Sequence, residues 1–213
     1  MQVRKDIDEF IKTIPSSITL IAVSKYVDVS VIKDLINHHL YNFGERRVNE
    51  LLEKKKSLDN PNLIWHFIGH LQHNKVKEIV NDIDYLHSLD SLKTALLISK
   101  YRTNKPLKCF IEVSINNEKN KYGLPISEVE DFVLKVKDLP NIELIGFMMM
   151  SKVNSTHEEL LNQFKALKTL KDNINNKYHL HLNELSMGMS EDYKEAIEEG
   201  ATYIRLGHIL YED

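Results

Sequence analysis

Eight short apolar runs, each followed by a longer amphipathic segment, restrict the fold of this chain more than any other feature. The runs are ITLIAVSK, YNFGE, LIWHFIG, YLHSLD, CFIEVSIN, ELIGFMMM, LNELSMG and YIRLG. Short runs rich in β-branched and aromatic residues read as buried strands, and strand followed by helix, repeated, reads as parallel βα units. Eight such units in 213 residues match a closed (β/α)8 TIM barrel. A doubly wound open sheet is the alternative, because periodicity does not reveal closure. No shift in composition and no Pro/Gly/Ser linker divides the chain, so residues 1–213 read as a single domain.

The intervening segments carry their own start and stop signals. Ser127 with Glu130, and Thr156 with Glu159, have capping-box spacing, and Gly200 after YKEAIEE suits a helix end. The charge runs EKKKSL and NEKNKY read as solvated helix faces or loops. With a formal net charge of −3, no overall field favours nucleic acid or an anionic membrane. Cys109, the single cysteine, lies inside the apolar run LKCFIEV and reads as a buried, inert thiol in a reducing compartment. The N-terminal segment lacks a signal-peptide core and no stretch is apolar enough to span a bilayer, so the expected location is cytoplasmic.

Five of the seven glycines, Gly44, Gly69, Gly123, Gly188 and Gly207, fall at or just past the ends of apolar runs. In parallel α/β proteins that edge carries the active-site loops. Run seven leads through SMGMS into a helix expected to begin near Ser190. Its free amides and the hydroxyls of Ser186 and Ser190 suit an anion, although an ordinary helix cap at Ser190 explains the stretch equally well. Run eight places Arg205 within a strand and Gly207 at its tip. If the barrel closes, strand one neighbours strand eight, and Lys25 stands at the rim beside that anion site. There, partly buried beside a cation, its amine suits Schiff-base formation, whereas alone it would read as a strand-end lysine reaching for water. In HFIGHLQHNK, His66, His70 and His73 straddle a glycine turn without zinc-like spacing, so we expect no metal. His66 is expected to face the barrel mouth, and GFMMM reads as adaptable packing.

Taken together and in order, AVSK, FGERRVNE, HFIGHLQHNK, HSLD, GFMMM and LSMGMSEDYKEAIEEGATYIRLG resemble the YggS/PROSC (YlmE-like) family of pyridoxal phosphate homeostasis proteins. The likeness runs from about residue 18 to 209, and its most specific parts are the MGMS-x-D turn with R-x-G and the H-x-IG-x-LQ-x-NK segment. The resemblance implies a fold-type III barrel like the N-terminal domain of alanine racemase, with pyridoxal 5'-phosphate held as a Schiff base on Lys25. It implies that Ser190 and Gly207, with amides around Met189 and His208, hold the phosphate, and that Arg205 faces the pyridine nitrogen and weakens the cofactor as an electron sink. Asn42, His66, Ser88 and Met148, at other strand ends, are expected to line the ring or the mouth.

The chain departs from the family at Arg46, where asparagine is usual, and at His208, where a small hydroxyl residue is usual. A methionine also stands for the hydroxyl residue near the end of strand six, and the usual Phe-Gly tail is replaced by ILYED. The expected function is to buffer or deliver pyridoxal phosphate, with pyridoxal phosphate-dependent apoenzymes as expected partners, as a monomer and without catalysis. An amino-acid racemase on the same barrel is the alternative. It needs a second base on the opposite face, usually a tyrosine, and Tyr26 follows Lys25 too closely to provide one. A class I aldolase-like barrel also pairs lysine with a phosphate site, but lysine on strand one and R-x-G argue against it.

Overall fold

The computed structural model describes residues 1–116 and 122–212; most of the NEKNKY run lies outside them. All eight apolar runs form strands: β1 (Thr19–Val23), β2 (Asn42–Glu45), β3 (Ile64–Phe67), β4 (Tyr85–Leu89), β5 (Leu107–Ser114), β6 (Ile142–Met148), β7 (Glu184–Ser186) and β8 (Tyr203–Leu206). Each pairs in parallel with the next, and β8 pairs back onto β1 with Tyr203 opposite Thr19 and Arg205 opposite Ile21. That last ladder closes the barrel and removes the open-sheet alternative.

A short helix α1 (Ile7–Lys12) precedes β1, and α2 (Val29–Asn37), α3 (Val48–Leu58), α4 (Val76–Ile79), α5 (Leu92–Tyr101), α6 (Ile126–Val136), α7 (His157–Tyr178) and α8 (Tyr193–Glu198) follow successive strands. Outside the barrel, Gln2–Val3 pairs antiparallel with Tyr211–Glu212. Among the described residues no helix is long and apolar enough to cross a membrane.

The two faces of each strand are composed differently, as a period of two demands when both are covered. Leu20, Ala22, Phe43, Trp65, Phe67, Leu86, Cys109, Ile111, Phe147, Leu185 and Ile204 join the apolar cluster between strands and helices. Ile21, Val23, Phe110 and Met148 are equally buried but stand outside that cluster, on the lumen side with Arg205 and His66. Cys109 is fully buried as expected, and burial pushes its thiol pKa up.

The helix signals divide. Thr156 and Glu159 make both bonds of a capping box, and Gly200 takes a φ of +93° at the end of α8. The Ser127–Glu130 box does not form: α6 starts two residues earlier, with Pro125 at the cap position, and Glu130 instead accepts from Lys177 and Tyr178 of α7. The EKKKSL run is not wholly solvated either. Lys54 turns inward, its side chain 13% exposed, because a buried carboxylate waits for it at the barrel rim.

Candidate functional site

A cleft of about 610 Å³ opens at the C-terminal ends of β1–β3, lined by Lys25, Tyr26, Arg46, Gly69, His70 and Tyr122 among others. Lys25 projects into it from the turn that follows β1. The side chain is exposed rather than partly buried as expected, and its ammonium lies 5.7 Å from the centre of the Tyr26 ring. Tyr26 has a φ of +66°, a left-handed conformation that an L side chain holds only where its surroundings over-determine it.

A set of hydrogen bonds fixes this turn. The Ser24 amide donates to the Gly44 carbonyl at 3.0 Å and the Val27 amide to the Ser24 carbonyl at 3.1 Å. Lys54 donates to the same Ser24 carbonyl at 2.7 Å and to Glu45 Oε1 at 2.5 Å, while the Ser24 hydroxyl donates to Glu45 Oε1 at 2.7 Å. The Tyr211 hydroxyl donates to the Val23 carbonyl at 3.1 Å. Burial, and then the Glu45 charge, push the Tyr211 pKa up, keeping that hydroxyl a donor. Glu45 is fully buried, and its Oε2 is a buried side-chain oxygen without a partner among the described residues. The lysine-bearing turn is thus clamped on its inner side by Ser24, Glu45, Lys54 and Tyr211.

Across the β8–β1 ladder lies the turn expected to take an anion. The Gly207 amide donates to Ser190 Oγ at 3.1 Å, so hydroxyl and amide stand side by side at the tip of β8. Gly188 reaches this turn with a φ of +93°, and a Cβ there would come within 2.6 Å of the Ala196 Cβ. Helix α8 begins at Tyr193 rather than near Ser190, because Asp192 occupies the cap position. Asp192 Oδ1 accepts from the Met189 amide at 2.6 Å, and the Ser151 hydroxyl donates to its other oxygen. The Met189 amide is therefore already engaged with a carboxylate. His208 follows Gly207 at the surface, its Nε2 2.6 Å from Glu191 Oε1.

The lumen beneath carries a continuous polar chain. Arg205, 5% exposed, donates from Nη1 to Ser186 Oγ at 2.6 Å and from Nη2 to the Met149 carbonyl at 2.9 Å. Ser186 Oγ lies 2.8 Å from His87 Nδ1, His87 Nε2 lies 2.9 Å from His66 Nδ1, and His66 Nε2 lies 3.0 Å from Asn42 Oδ1. His66 does not face the mouth: it is fully buried and stacks on Tyr85 at 4.4 Å, because a ring with partners on both nitrogens is held below the rim. Burial drives its pKa down to about 3. Burial, then His66 and Arg205, drive the His87 pKa well down too. Burial also lowers the Arg205 pKa to about 10, leaving it charged at neutral pH.

The remaining expected residues sort by the face they occupy. Met148 is buried on the lumen side. Ser88 is not open to a ligand: it is buried and its hydroxyl donates to the Gly69 carbonyl at 2.6 Å, tying the ends of β3 and β4 together. Its neighbour His87 is the residue β4 presents to the lumen, and the alternation Tyr85, His87 could have pointed to it. The same parity on β5 places Glu112 inward with Phe110. Glu112 is 4% exposed, and burial, then Asp90, raise its pKa to about 7 against the lowering pull of Arg205 and Arg46.

Comparison with known proteins fits this geometry. The family described as "Alanine racemase, N-terminal domain" matches residues 2–213. A pyridoxal phosphate homeostasis protein of Aquifex aeolicus is 37% identical over 194 residues, covering 90% of this chain and 85% of the relative. One from Synechocystis is 36% identical over 208 residues, covering 96% and 95%. The solved structure of PipY from Synechococcus elongatus PCC7942 with PLP bound superposes with a TM-score of 0.91 at 30% identity, covering 97% of this chain and 100% of that one. A closed barrel with a lysine at the end of its first strand, matched along its whole length, therefore belongs to the alanine racemase N-terminal domain family and, within it, to the pyridoxal phosphate homeostasis proteins.

Proposed function

We propose that this chain binds pyridoxal 5'-phosphate and buffers or delivers it, holding the cofactor covalently through Lys25. The observation that carries the reading is the placement of an exposed primary amine across the β8–β1 ladder from the Ser190–Gly207 turn, with a buried guanidinium on the same β8. That donor set fits the group: an amine for its aldehyde, a hydroxyl and a backbone amide for its phosphate, and a cation for its ring nitrogen. When bound, the cofactor supplies an aldehyde that amines capture reversibly. The name of the relatives and the PLP bound in PipY support the same ligand.

Each residue has a task within this reading. The clamp of Ser24, Glu45, Lys54 and Tyr211 holds the Lys25 turn. Ser190 and Gly207 receive phosphate oxygens, with the His208 amide beside them and the Met189 amide once Asp192 yields it. Arg205 faces the pyridine nitrogen and Met148 completes the lumen surface, whereas Asn42, expected at the ring or mouth, begins β2 at the end away from the Lys25 rim and meets His66 instead. The protein carries the cofactor rather than turning over a substrate with it, a reading supported by the relatives' role in pyridoxal phosphate homeostasis. It acts as a cytoplasmic monomer that passes the cofactor to apoenzymes.

The test is spectroscopic. Purified protein mixed with pyridoxal phosphate should develop a visible absorption band, and borohydride should fix one cofactor per chain on the Lys25 peptide. Lys25→Ala should abolish both. An unchanged band in that variant, or cofactor mapped to another lysine, overturns the assignment. Substantial racemisation of alanine by pure protein would favour the racemase reading instead.

A further inference from the structure

The polar chain in the lumen has a direction. Arg205 has no choice, since a guanidinium only donates. Ser186 Oγ accepts from Arg205 Nη1 and has one proton to give; among the described residues its other hydrogen-bond partner is His87 Nδ1. If the hydroxyl donates there, Nδ1 is an acceptor, and a neutral His87 carries its proton on Nε2. That nitrogen then donates to His66 Nδ1, which leaves the His66 proton on Nε2, facing Asn42 Oδ1, an acceptor. Every contact is satisfied end to end. The reverse direction would have His87 donate to a serine already accepting from Arg205, leaving the Ser186 proton without an acceptor in a fully buried site.

The chain also crosses the barrel. Asn42, His66 and His87 come from the neighbouring strands β2, β3 and β4, whereas Ser186 and Arg205 come from β7 and β8. The His87–Ser186 contact spans the lumen between residues 99 apart in sequence. The imidazoles are fixed in plane as well as in register, His66 stacked on Tyr85 and His87 on Phe110, both at 4.4 Å. The charged groups acting on Arg205 from other elements are Asp192 and Glu112.

We propose that Asn42, His66, His87 and Ser186 form a one-way hydrogen-bond chain that starts at Arg205 and fixes the position of its guanidinium. They are positioning residues: the chain holds a cation where the cofactor's ring nitrogen would meet it and keeps both imidazoles in the neutral Nε2–H form. The consequence for the cofactor rests on the role of Arg205 proposed above; the direction of the chain does not.

Two measurements separate those claims. Nitrogen-15 NMR of the cofactor-free protein should show both rings as neutral Nε2–H tautomers that do not titrate between about pH 5.5 and 8. A proton on Nδ1 of either ring, or titration of either in that range, overturns the chain. With pyridoxal phosphate loaded, Ser186→Ala should move the pH midpoint of the visible band upward by about half a unit or more, because a loosened cation no longer opposes a proton nearby. Ser186→Thr, which keeps the hydroxyl, should restore the midpoint. If the tautomers stand but both Ser186→Ala and Arg205→Lys leave the midpoint unmoved, the role given to Arg205 falls and the chain survives. If Arg205→Lys moves it and Ser186→Ala does not, Arg205 needs no positioning and the proposal falls.

Discussion

The outer and inner faces of the barrel wall are made from alternate residues of the same strands, yet they solve different problems. Outward, Leu20, Phe43, Trp65, Phe67, Ile111 and Phe147 meet the helices in an apolar layer whose stability comes from area removed from water. Inward, Asn42, His66, His87, Glu112, Ser186 and Arg205 occupy a space equally closed to solvent apart from the half-buried Asn42. Burial there would be a net cost without partners, so Asn42, His66, His87, Ser186 and Arg205 are hydrogen-bonded to one another. An apolar layer tolerates exchange of one hydrocarbon for another of similar volume. A polar layer does not, since each side chain is the partner another needs. The wall is therefore robust where it holds the fold together and exacting where it faces the lumen.

The largest expected effect lies on the outer face. Trp65 is 1% exposed, and Trp65→Ala should cost about 3–5 kcal/mol in denaturant unfolding, while the folded fraction still binds pyridoxal phosphate. Equal loss of binding in folded protein would break the division between the faces. Next comes the rim clamp. Lys54→Met leaves the Glu45 carboxylate buried with neither oxygen near a cation, and should cost about 3 kcal/mol. Adding Glu45→Gln should recover much of that, because the unpaired charge causes the loss; a double variant no more stable than Lys54→Met refutes the clamp's electrostatic basis.

The inner face also sets the response to acid. His66 and His87 have folded pKa values below their unfolded ones, so the unfolded chain binds more protons below about pH 6.5. Their stabilisation is complete above that pH and falls by about 1.4 kcal/mol per unit for each ring as pH drops toward the folded values. Glu112 works the other way. Raised to about 7, its folded pKa lies above the unfolded one, so its contribution is present below about pH 4.5 and is lost as pH rises through 7. Between those limits it offsets one histidine. Glu112→Gln should thus steepen the loss of stability between pH 7 and 4.5 by up to about 1.4 kcal/mol per unit, read from urea midpoints across that range. An unchanged slope would place Glu112 in a wetter setting than the lumen.

How much of this was legible follows the same division. Strand count and the buried Cys109 rest on apolar periodicity, which the outer face writes directly into the sequence, whereas the closing β8–β1 ladder does not. Lys25, Ser190 and Gly207 were visible as strand-end residues, and β8–β1 pairing sets their strand ends side by side. The inner partners were not, since a polar residue inside a strand gives no sign of whom it will meet. His66 and Ser88 show the difficulty: both lie near strand ends, yet one is buried between two hydrogen-bond partners and the other is tied to the Gly69 carbonyl. Lys54 looked like surface within EKKKSL, because only the folded rim brings Glu45 to it.

The smallest expected effect on stability coincides with the largest on function. Lys25 is exposed, and the clamp beneath it acts through Ser24, Glu45 and the backbone, with no bond to the Lys25 amine. Removing that amine deletes no buried area and orphans no polar group, so Lys25→Ala should change unfolding free energy by no more than about 0.5 kcal/mol. Covalent capture of the cofactor should nevertheless vanish, whereas Lys54→Met should lower stability and still capture it. A destabilisation of Lys25→Ala comparable to that of Lys54→Met would mean the lysine is part of the wall. Stability unchanged with capture lost would mean the wall is built around a residue that contributes nothing to it, placed there for the cofactor.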